Sequence, residues 1–426
     1  MIRALVFPCG SEIGLEIHAA LRFNKAVQLF GVSSVADHGE YVYSRYRQID
    51  ARADSADFVE QLNELIDEWQ IDIVMPAHDS VILVLAEQRA RLRAEVAAPI
   101  AEVARLCRNK NATYAFFAAS GFVPRTIAAP AQGIYPIFAK PAVGQGSQGA
   151  EQVKDRQRHQ QLLDSGIEHV FSEYLPGIEC TVDCISNAQG QLLHLSPRVR
   201  ERVKSGISVA TRPIAVDEQL RRIADSIASA LQLRGAWFFQ LKRDRQGEWR
   251  LLEIAPRVAG SMALSRNRGI NYALLTLYAY LGMPFSVLEQ DFPIRLDRAL
   301  TNRFRVEHDY QRVYLDLDDT LIVEQRVHPT LAALLYQWAA QGIEVVLVTR
   351  HAGCPRQTLR NYHLADSLFA DIIHICDESP KSCVIERGSR AIFIDDSWRE
   401  RLDVSRECGI PVFDIDALEQ LLETRS

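Results

Sequence analysis

The pattern of apolar and polar positions changes twice along the chain. Over residues 1–100, short apolar runs such as IRALVFP and IDIVMPA alternate with amphipathic helical segments. This alternation is typical of a parallel sheet covered by helices. From about residue 105 to 300, hairpin-type turns such as Asn187–Gly190 and Asp244–Gly247 join the apolar runs and predict an α+β region. After residue 309 a second parallel α/β pattern begins, with the strands RVYLDLD, EVVLVTR, DIIHICD, AIFIDD and PVFDID.

Length and composition agree with a multidomain α/β and α+β protein. The chain has 426 residues, of which 48% are apolar and 24% charged, enough for two or three packed cores. From residue 310 onward the chain has 19 acidic and 12 basic residues, which indicates a compact acidic carboxy-terminal unit. The total net charge of −6 gives no electrostatic reason to expect a nucleic-acid partner or an anionic membrane.

One uncharged stretch, Gly269–Leu288, has the length of a membrane span. Its Gly-Met-Pro sequence at 282–284 would end a helix near Leu281, so the stretch predicts a buried helix followed by a turn. The opening MIRALVFPCG predicts a first strand rather than a secretory signal. We therefore expect a cytoplasmic protein without a membrane partner, and these patterns leave open whether it forms a homo-oligomer.

Two carboxylates follow the first strand of the carboxy-terminal unit. The apolar run Val313–Leu315 leads directly into Asp316-Leu317-Asp318, at the edge where parallel sheets build their sites. An ionised carboxylate can attack a phosphoryl group, and a second one two residues on can transfer the proton. Further along, Thr349 can hydrogen-bond a phosphoryl oxygen and Lys381 supplies a cation, while the acidic pair at 395–396 offers oxygen ligands for Mg²⁺.

This ordered set resembles the four motifs of the haloacid dehalogenase-like (HAD) hydrolase superfamily, across all of residues 310–426. The resemblance implies a phosphatase with an aspartyl-phosphate intermediate, with Asp316 as nucleophile and Asp318 as acid/base. The strand that begins at Glu344 starts only 24 positions after Thr320, which is too short a distance for a substantial cap domain. The implied phosphoryl-binding residues are Thr349 and Lys381, and the implied magnesium-binding residues are Asp316, Asp318, Asp395 and Asp396.

A glycine-rich loop in the middle of the chain follows Lys140, which ends the strand IYPIFAK. Backbone N–H groups of such a loop can close around a phosphate chain, and the lysine adds a charge. The sequence has no GK[ST] and so is not a Walker loop. The loop residues singled out are Gly144, Gly146, Ser147 and Gly149.

Several acidic and amide side chains follow this loop. Gln240 in WFFQL and Glu253 in RLLEIAPR lie on two strands joined by a turn, which can bring their oxygens together around magnesium, with Arg257 beside them. Upstream, FSEYLPGIE supplies Glu173 and Glu179 on either side of a turn. The basic run at 198–212 remains open: Arg202 and Lys204 either contact phosphate or substrate, or are solvated. No histidine is assigned a catalytic role.

These residues together resemble the ATP-grasp fold, in its carbamoyl-phosphate-synthase and biotin-carboxylase-like branch, over roughly residues 1–300. The resemblance implies a Rossmann-like domain before the grasp, ATP and Mg²⁺ as cofactors, and Mn²⁺ as a substitute ion. It implies that Lys110 and Lys140 contact the phosphates of ATP. It also implies that the backbone from Glu173 to Leu175 contacts the adenine and that Glu179 contacts the ribose. It further implies magnesium ligands Gln240 and Glu253, and Arg257 as the residue that holds the acid or its acyl phosphate.

One position departs from the family's Glu-x-Asn-Pro-Arg motif, because Ala255 stands where the asparagine metal ligand is usual. Either water fills that place or one metal site is lost. The pairing of modules also resembles, more loosely, ATP-grasp proteins of tellurite-resistance-type operons.

We expect three domains: a Rossmann-like pre-ATP-grasp domain (1–104), an ATP-grasp domain (105–308) and a capless HAD-like Rossmannoid domain (309–426). The expected function is a bifunctional biosynthetic enzyme, an amide-forming ligase that joins a small-molecule carboxylate to an amine through an acyl phosphate, fused to a phosphatase for a phosphorylated metabolite. The alternatives are an ATP-grasp kinase or phosphotransferase, and an ATP-binding sensor or scaffold that regulates the phosphatase.

Overall fold

The computed structural model describes residues 1–127, 129–130, 134–144, 146–304 and 308–423. The chain forms two compact units, Met1–Thr301 and Asn302–Arg425. The predicted domain limit at residue 104 lies inside a helix of the first unit, and that at 308 lies within the second unit. Both limits remain predictions.

A five-stranded parallel sheet forms the amino-terminal part of the first unit. Its strands are β1 (Ile2–Phe7), β2 (Val27–Ser33), β3 (Tyr46–Gln48), β4 (Ile73–Pro76) and β5 (Glu95–Val96). Its helices are α1 (Glu12–Leu21), α2 (Phe58–Trp69), α3 (Asp79–Glu87) and α4 (Ala101–Arg108). The strand order is β3-β2-β1-β4-β5. The central strand β1 is largely apolar and buried because helices cover both faces of the sheet.

The rest of the first unit contains two antiparallel sheets. The smaller, in the order β7-β6-β8, comprises β6 (Ile137–Pro141), β7 (Glu151–Val153) and β8 (His169–Glu173). The larger has six strands: β9 (Glu179–Ser186), β10 (Leu192–Lys204), β11 (Ile207–Pro213), β12 (Gly235–Arg243), β13 (Trp249–Ala255) and β14 (Leu296–Asp297). Its order is β13-β12-β9-β10-β11-β14. The helices here are α5 (Lys110–Phe116), α6 (Arg156–Leu163), α7 (Glu218–Leu231), α8 (Ala263–Arg266) and α9 (Tyr272–Tyr280).

The uncharged stretch predicted as a buried helix forms α9. Asn271 caps this helix by accepting a hydrogen bond from the Leu274 N–H, and seven of the nine helical residues are buried. On one side α9 packs against β12, and on the other against α1. A single apolar cluster therefore joins the parallel sheet to the six-stranded sheet. None of the helices in the described ranges is both long and apolar enough to span a membrane.

The second unit is built on another five-stranded parallel sheet. Its strands are β15 (Arg312–Leu315), β18 (Glu344–Thr349), β19 (Asp371–His374), β20 (Ala391–Ile394) and β21 (Val412–Phe413). A small hairpin, β16 (Ile322–Val323) with β17 (Arg326–Val327), follows the first strand. The helices are α10 (Pro329–Gln341), α11 (Pro355–Asn361) and α12 (Trp398–Cys408). The order β19-β18-β15-β20-β21 brings the ends of β15, β18 and β20 to one edge of the sheet.

Candidate active sites

Two buried lysines lie at a cavity of about 120 Å³ in the first unit. The Lys140 ammonium donates to the Tyr114 hydroxyl (2.9 Å) and to the Leu252 carbonyl (2.8 Å), and Lys110 donates to the Gly144 carbonyl (3.5 Å). Within the described residues neither lysine forms an ion pair. Burial lowers the pKa of Lys140 to about 8, although Glu253 and Glu179 oppose the shift, and burial also lowers the pKa of Lys110. Buried cations with only neutral partners fit an anionic ligand.

Most of the predicted nucleotide-binding residues line the same cavity. Beside the two lysines these are Gly144, Gly146, Ser147, Glu179, Gln240 and Glu253. Both Gly146 and Ser147 have positive φ, 59° and 55°, so the loop turns sharply here. Three predicted residues, Glu173, Leu175 and Gly149, do not line this cavity. Glu173 instead accepts a hydrogen bond from the Arg125 N–H at 2.8 Å.

Gln240 and Glu253 are directly opposed in the β12–β13 register. The Gln240 side-chain oxygen accepts from Arg200 Nη1 at 2.8 Å, and the Glu253 carboxylate has no hydrogen-bond partner among the described residues. Mg²⁺ prefers carboxylate and amide oxygens and keeps several waters or phosphate oxygens, so this pair fits the ion. Ala255, two residues on, is buried and offers no side-chain ligand.

A second cavity of about 270 Å³ adjoins the first. The two share seven lining residues among those described: Lys110, Gly144, Gly146, Arg200, Gly206, Gln240 and Glu253. The predicted acid-binding residue Arg257 lines the larger cavity but is paired with Asp79 through Nε (2.6 Å) and Nη2 (2.9 Å). Burial of Asp79 opposes ionisation, but the charge and hydrogen bond of Arg257, together with the charges of Arg108 and His78, outweigh burial and lower the pKa of that carboxyl. Arg257 Nη1 donates to the Val258 carbonyl at 3.1 Å.

In the second unit, Lys381 lies between two buried carboxylates. Its ammonium donates to Asp316 Oδ1 at 2.5 Å and to Asp395 Oδ2 at 2.6 Å. Asp316 follows β15, and Asp395 follows β20, the neighbouring strand. Burial raises the pKa of Asp316 to about 7, with the Asp395 charge adding to the shift and the Lys381 charge opposing it. Burial likewise raises the pKa of Asp395.

A third carboxylate, Asp396, completes an acidic cluster at this edge. Asp316, Asp395 and Asp396 each offer an oxygen within 4.8 Å of the others. The Thr320 hydroxyl bridges the cluster, at 3.3 Å from Asp316 Oδ2 and 3.1 Å from Asp396 Oδ1. Three carboxylates with one lysine leave excess negative charge, which a divalent cation with oxygen ligands would compensate. The residues therefore fit Mg²⁺.

Asp318 is exposed and is held by a histidine to which no role was assigned from the sequence pattern. His351 Nδ1 lies 2.9 Å from both Asp318 oxygens, and His351 Nε2 lies 2.7 Å from the Thr358 hydroxyl. The predicted phosphoryl-binding residue Thr349 is fully buried, and its hydroxyl accepts from the His351 N–H at 3.1 Å. In the sequence, the one indication that His351 could lie near Asp318 is its position two residues after Thr349.

The basic run on β10 and β11 lines the larger cavity with other residues than Arg202 and Lys204, the two that the sequence analysis singled out. Arg198 and Arg200 line the larger cavity, whereas Arg202 is exposed and pairs with Asp297 at 2.8 Å. A register shift between Arg200 and Arg202 breaks the alternation of the strand, so equal spacing in sequence does not give one face. Lys204 is exposed.

Comparisons with known proteins agree with this architecture. Residues 168–300 match a protein family described as "ATP-grasp in the biosynthetic pathway with Ter operon". No curated protein sequence matches the chain at a significant level.

Among solved structures, an L-amino acid ligase from Bacillus licheniformis is 17% identical, with 65% of this chain and 73% of that one covered and a TM-score of 0.52. Biotin carboxylase from Campylobacter jejuni, in a β,γ-ATP complex, is 16% identical over 67% and 72%, with a TM-score of 0.54. An N5-carboxyaminoimidazole synthetase from Staphylococcus aureus, with ADP bound, is 15% identical over 70% and 82%, with a TM-score of 0.56. At identities this low, the structural similarity shows the fold alone. With the family match at residues 168–300, it shows that the first unit of this chain contains an ATP-grasp domain.

Proposed function

We propose that the first unit is an ATP-dependent ligase that activates a small carboxylic acid as an acyl phosphate and joins it to an amine. The observation that carries this proposal is the shared wall between the two cavities. The smaller cavity holds two buried lysines suited to phosphates, the larger has room for an acid, and Lys110, Gln240 and Glu253 line both.

In this reaction the carboxylate oxygen attacks the γ-phosphorus of ATP and ADP leaves. The amine nitrogen then attacks the acyl carbon, phosphate leaves, and the amine loses a proton. Lys110 and Lys140 hold phosphate oxygens and place them towards the acid. Gln240 and Glu253 would hold Mg²⁺, which would supply charge neutralisation at the phosphates.

The test uses full-length Asp316→Asn protein, so that a phosphatase activity cannot remove a phosphorylated product. The protein is incubated with Mg·ATP and a small-metabolite extract, and new species are identified by mass spectrometry. A product whose mass is that of two metabolites less water, formed with equimolar ADP, supports the ligase. A metabolite that gains only a phosphoryl group supports a kinase instead. ATP binding without any turnover supports a sensor or scaffold.

We propose that the second unit is a magnesium-dependent phosphatase of the HAD type. The cluster of Asp316, Lys381, Asp395 and Asp396 supports this proposal. Asp316 Oδ would attack the phosphorus and displace the leaving oxygen, which takes a proton from Asp318. Water then attacks the phosphorus of the aspartyl phosphate, and Asp318 accepts its proton. The bond between phosphorus and Asp316 breaks, which releases phosphate and restores the Asp316 carboxylate. Lys381 and Thr349 would bind the phosphoryl oxygens, and the carboxylates would hold Mg²⁺, which supplies charge neutralisation.

Hydrolysis of p-nitrophenyl phosphate by the full chain tests this second activity. Formation of a phosphorylated protein, detected on Asp316 by peptide mass spectrometry after trapping with labelled substrate, would support it. A hydrolysis rate that Asp316→Asn leaves unchanged would refute it.

A further inference from the structure

Two cations share one neutral hydrogen-bond acceptor at the wall between the two cavities of the first unit. Arg108, the last residue of α4, donates from Nη1 to the Gly144 carbonyl at 3.0 Å, and the Lys110 ammonium lies 3.5 Å from the same oxygen. Among the described residues neither side chain forms an ion pair. Two positive charges beside one carbonyl favour an anion next to them. Lys110 lines both cavities, whereas Arg108 lines the larger and not the smaller.

Arg108 differs in its partners from the other arginines of the larger cavity. The described lining contains six arginine and lysine residues: Arg108, Lys110, Arg198, Arg200, Arg257 and Arg298. Four of these pair with carboxylates: Arg198 with Asp183, Arg200 with Glu179, Arg257 with Asp79 and Arg298 with Glu12. The charges of these four are therefore compensated within the protein. Since Lys110 is expected to hold phosphate, Arg108 is the cation of the described lining that remains for the acid.

The unused face of the Arg108 guanidinium is the one that binds carboxylates elsewhere in this unit. Arg198 and Arg257 each donate from Nε and Nη2 to the two oxygens of one aspartate. In Arg108 these two nitrogens have no partner in the described part of the chain, and neither is sealed from solvent. The residue is half-buried at the cavity. A carboxylate can therefore reach this face and accept two parallel hydrogen bonds.

The Arg108 charge acts on both the lysine expected to hold phosphate and the carboxylate that pairs with Arg257. Burial lowers the pKa of Lys110, and the Arg108 charge adds to this shift. Burial of Asp79 raises the pKa of its carboxyl, but the charge of Arg257 reverses the shift and the charge of Arg108 adds to the reversal. Arg108 is therefore near both groups. Arg257 itself could bind a substrate carboxylate only in competition with Asp79.

We propose that Arg108 binds the carboxylate of the acid substrate, in place of Arg257, and orients it towards the phosphates held by Lys110. This inference rests on the proposed ligase function. The carboxylate lies on the larger-cavity side of the wall, and Arg108 compensates its charge until it attacks the γ-phosphorus. Arg257 keeps its pair with Asp79 and shapes the cavity without contacting the reacting group.

Anomalous diffraction can locate the acid-binding position while the substrate is still unidentified. Crystals of the full chain are grown with Mg²⁺ and a non-hydrolysable ATP analogue and soaked in selenate. We expect a selenium peak with selenate oxygens within hydrogen-bond distance of Arg108 Nε and Nη2. Arg108→Gln should lose most of this peak. Arg105→Gln is the matched control and should keep the peak, because Arg105 lies in the same helical turn but pairs with Glu87 at 2.8 Å.

The outcomes separate this inference from the ligase proposal. Nucleotide at Lys110 and Lys140 without selenate at Arg108 overturns the inference and leaves the ligase standing. Selenate bound to Arg257, with Asp79 displaced, also overturns it and assigns the acid to Arg257. A peak of equal occupancy in Arg108→Gln means an adventitious ion only, with the same consequence. Absence of nucleotide at the two lysines contradicts the ligase itself and removes the basis of the inference.

The acid identified by mass spectrometry provides a second test. In Arg108→Gln the KM for the acid should rise about tenfold to a hundredfold, as expected for the loss of charged hydrogen bonds, with the KM for ATP unchanged. Arg108→Lys keeps the charge without the paired donors and should restore part of the affinity. Arg105→Gln should leave both KM values unchanged.

Two kinetic results would overturn the inference. An equal rise in the KM for ATP would assign Arg108 to the nucleotide. An unchanged KM for the acid would limit Arg108 to a structural role at the end of α4, where a cation interacts favourably with the helix dipole.

Discussion

The two candidate sites of this chain have opposite charge imbalances. In the first unit, Lys110 and Lys140 are buried with carbonyl and hydroxyl partners only, and burial lowers the pKa of both. In the second unit, Lys381 alone donates to both Asp316 and Asp395, and Asp396 lies beside them. Burial raises the pKa of Asp316 and of Asp395. The buried lysines with only neutral partners fit an anion, and the cluster of three carboxylates around one lysine fits a divalent cation.

The difference also explains why each unit tolerates an imbalance that would destabilise an ordinary core. Buried charges without full compensation cost stability, and they are kept where a ligand compensates them. We therefore expect each site to respond to its own ligand. Variants that remove one charge at a time should separate the two responses.

The largest effect should follow from Asp316→Asn, which removes the proposed nucleophile. Phosphatase activity should fall by about a thousandfold or more, since loss of a nucleophile removes the covalent route. Glu378→Gln, which alters an exposed carboxylate of the same unit, is the matched control and should retain full activity. Steady-state hydrolysis of p-nitrophenyl phosphate measures both. Retention of most of the activity in Asp316→Asn would show that Asp316 is not the nucleophile.

Loss of the Glu253 charge should affect only the first unit. In Glu253→Gln, ATP-dependent product formation should fall about a hundredfold because the proposed magnesium site would lose its carboxylate ligand, while phosphatase activity should stay unchanged. Glu248→Gln, which alters an exposed residue in the turn of the same hairpin, is the control. ADP release and phosphatase assays on one preparation give both numbers. An equal loss in both activities would indicate a general folding defect.

The depressed pKa of Lys140 predicts a pH-dependent ATP affinity. In the proposed site the protonated Lys140 ammonium would bind phosphate, and burial places its pKa at about 8. Affinity should therefore be greatest below pH 8 and weaken as the pH rises through 8, with proton uptake on binding above that value. In Lys140→Met affinity should be about tenfold weaker near neutral pH and this part of the pH dependence should vanish. Calorimetric titrations in two buffers of different ionisation enthalpy measure both effects, and an unchanged slope in the variant would contradict the assignment.

A smaller loss of phosphatase activity is expected from changes at His351. Its side chain contacts the exposed Asp318, and its backbone N–H donates to the Thr349 hydroxyl. His351→Ala should lower phosphatase kcat about tenfold by releasing the Asp318 side chain, and His351→Asn, which keeps a donor, should restore part of it. Lys381 and the acidic cluster remain intact in both. Equal rates for the alanine variant and the wild type would show that Asp318 does not depend on this contact.

Strand ends were predictable from sequence, and long-range side-chain pairs were not. Asp316, Thr349 and Asp395 lie at the ends of three apolar runs of a parallel sheet, so their meeting at one edge follows from the pattern itself. Gln240 and Glu253 are opposed because a short turn joins their strands. In contrast, the Arg257–Asp79 pair joins positions 178 residues apart, and no local pattern signals it.

The same limit applies to the basic run on β10. Arg198, Arg200 and Arg202 have equal spacing, and alternation alone would place them on one face. The register shift after Arg200 turns Arg202 towards Asp297. A bulge is a feature of strand pairing, so it is not visible in one strand's sequence. The contact of His351 with Asp318 likewise depends on how the loop after β18 folds over the neighbouring strand end.

The opposite charge imbalance of the two sites is tested most directly by Mn²⁺ binding to the full chain, followed by electron paramagnetic resonance with and without ATP. We predict that Mn²⁺ binds without ATP, that Asp395→Asn abolishes this binding, and that Lys140→Met leaves it unchanged. Addition of ATP should then recruit further Mn²⁺ in wild type and in Asp395→Asn, and much less in Lys140→Met. Mn²⁺ that binds without ATP and persists in Asp395→Asn, or ATP binding that is indifferent to Lys140→Met, would show that the two sites do not differ in this way.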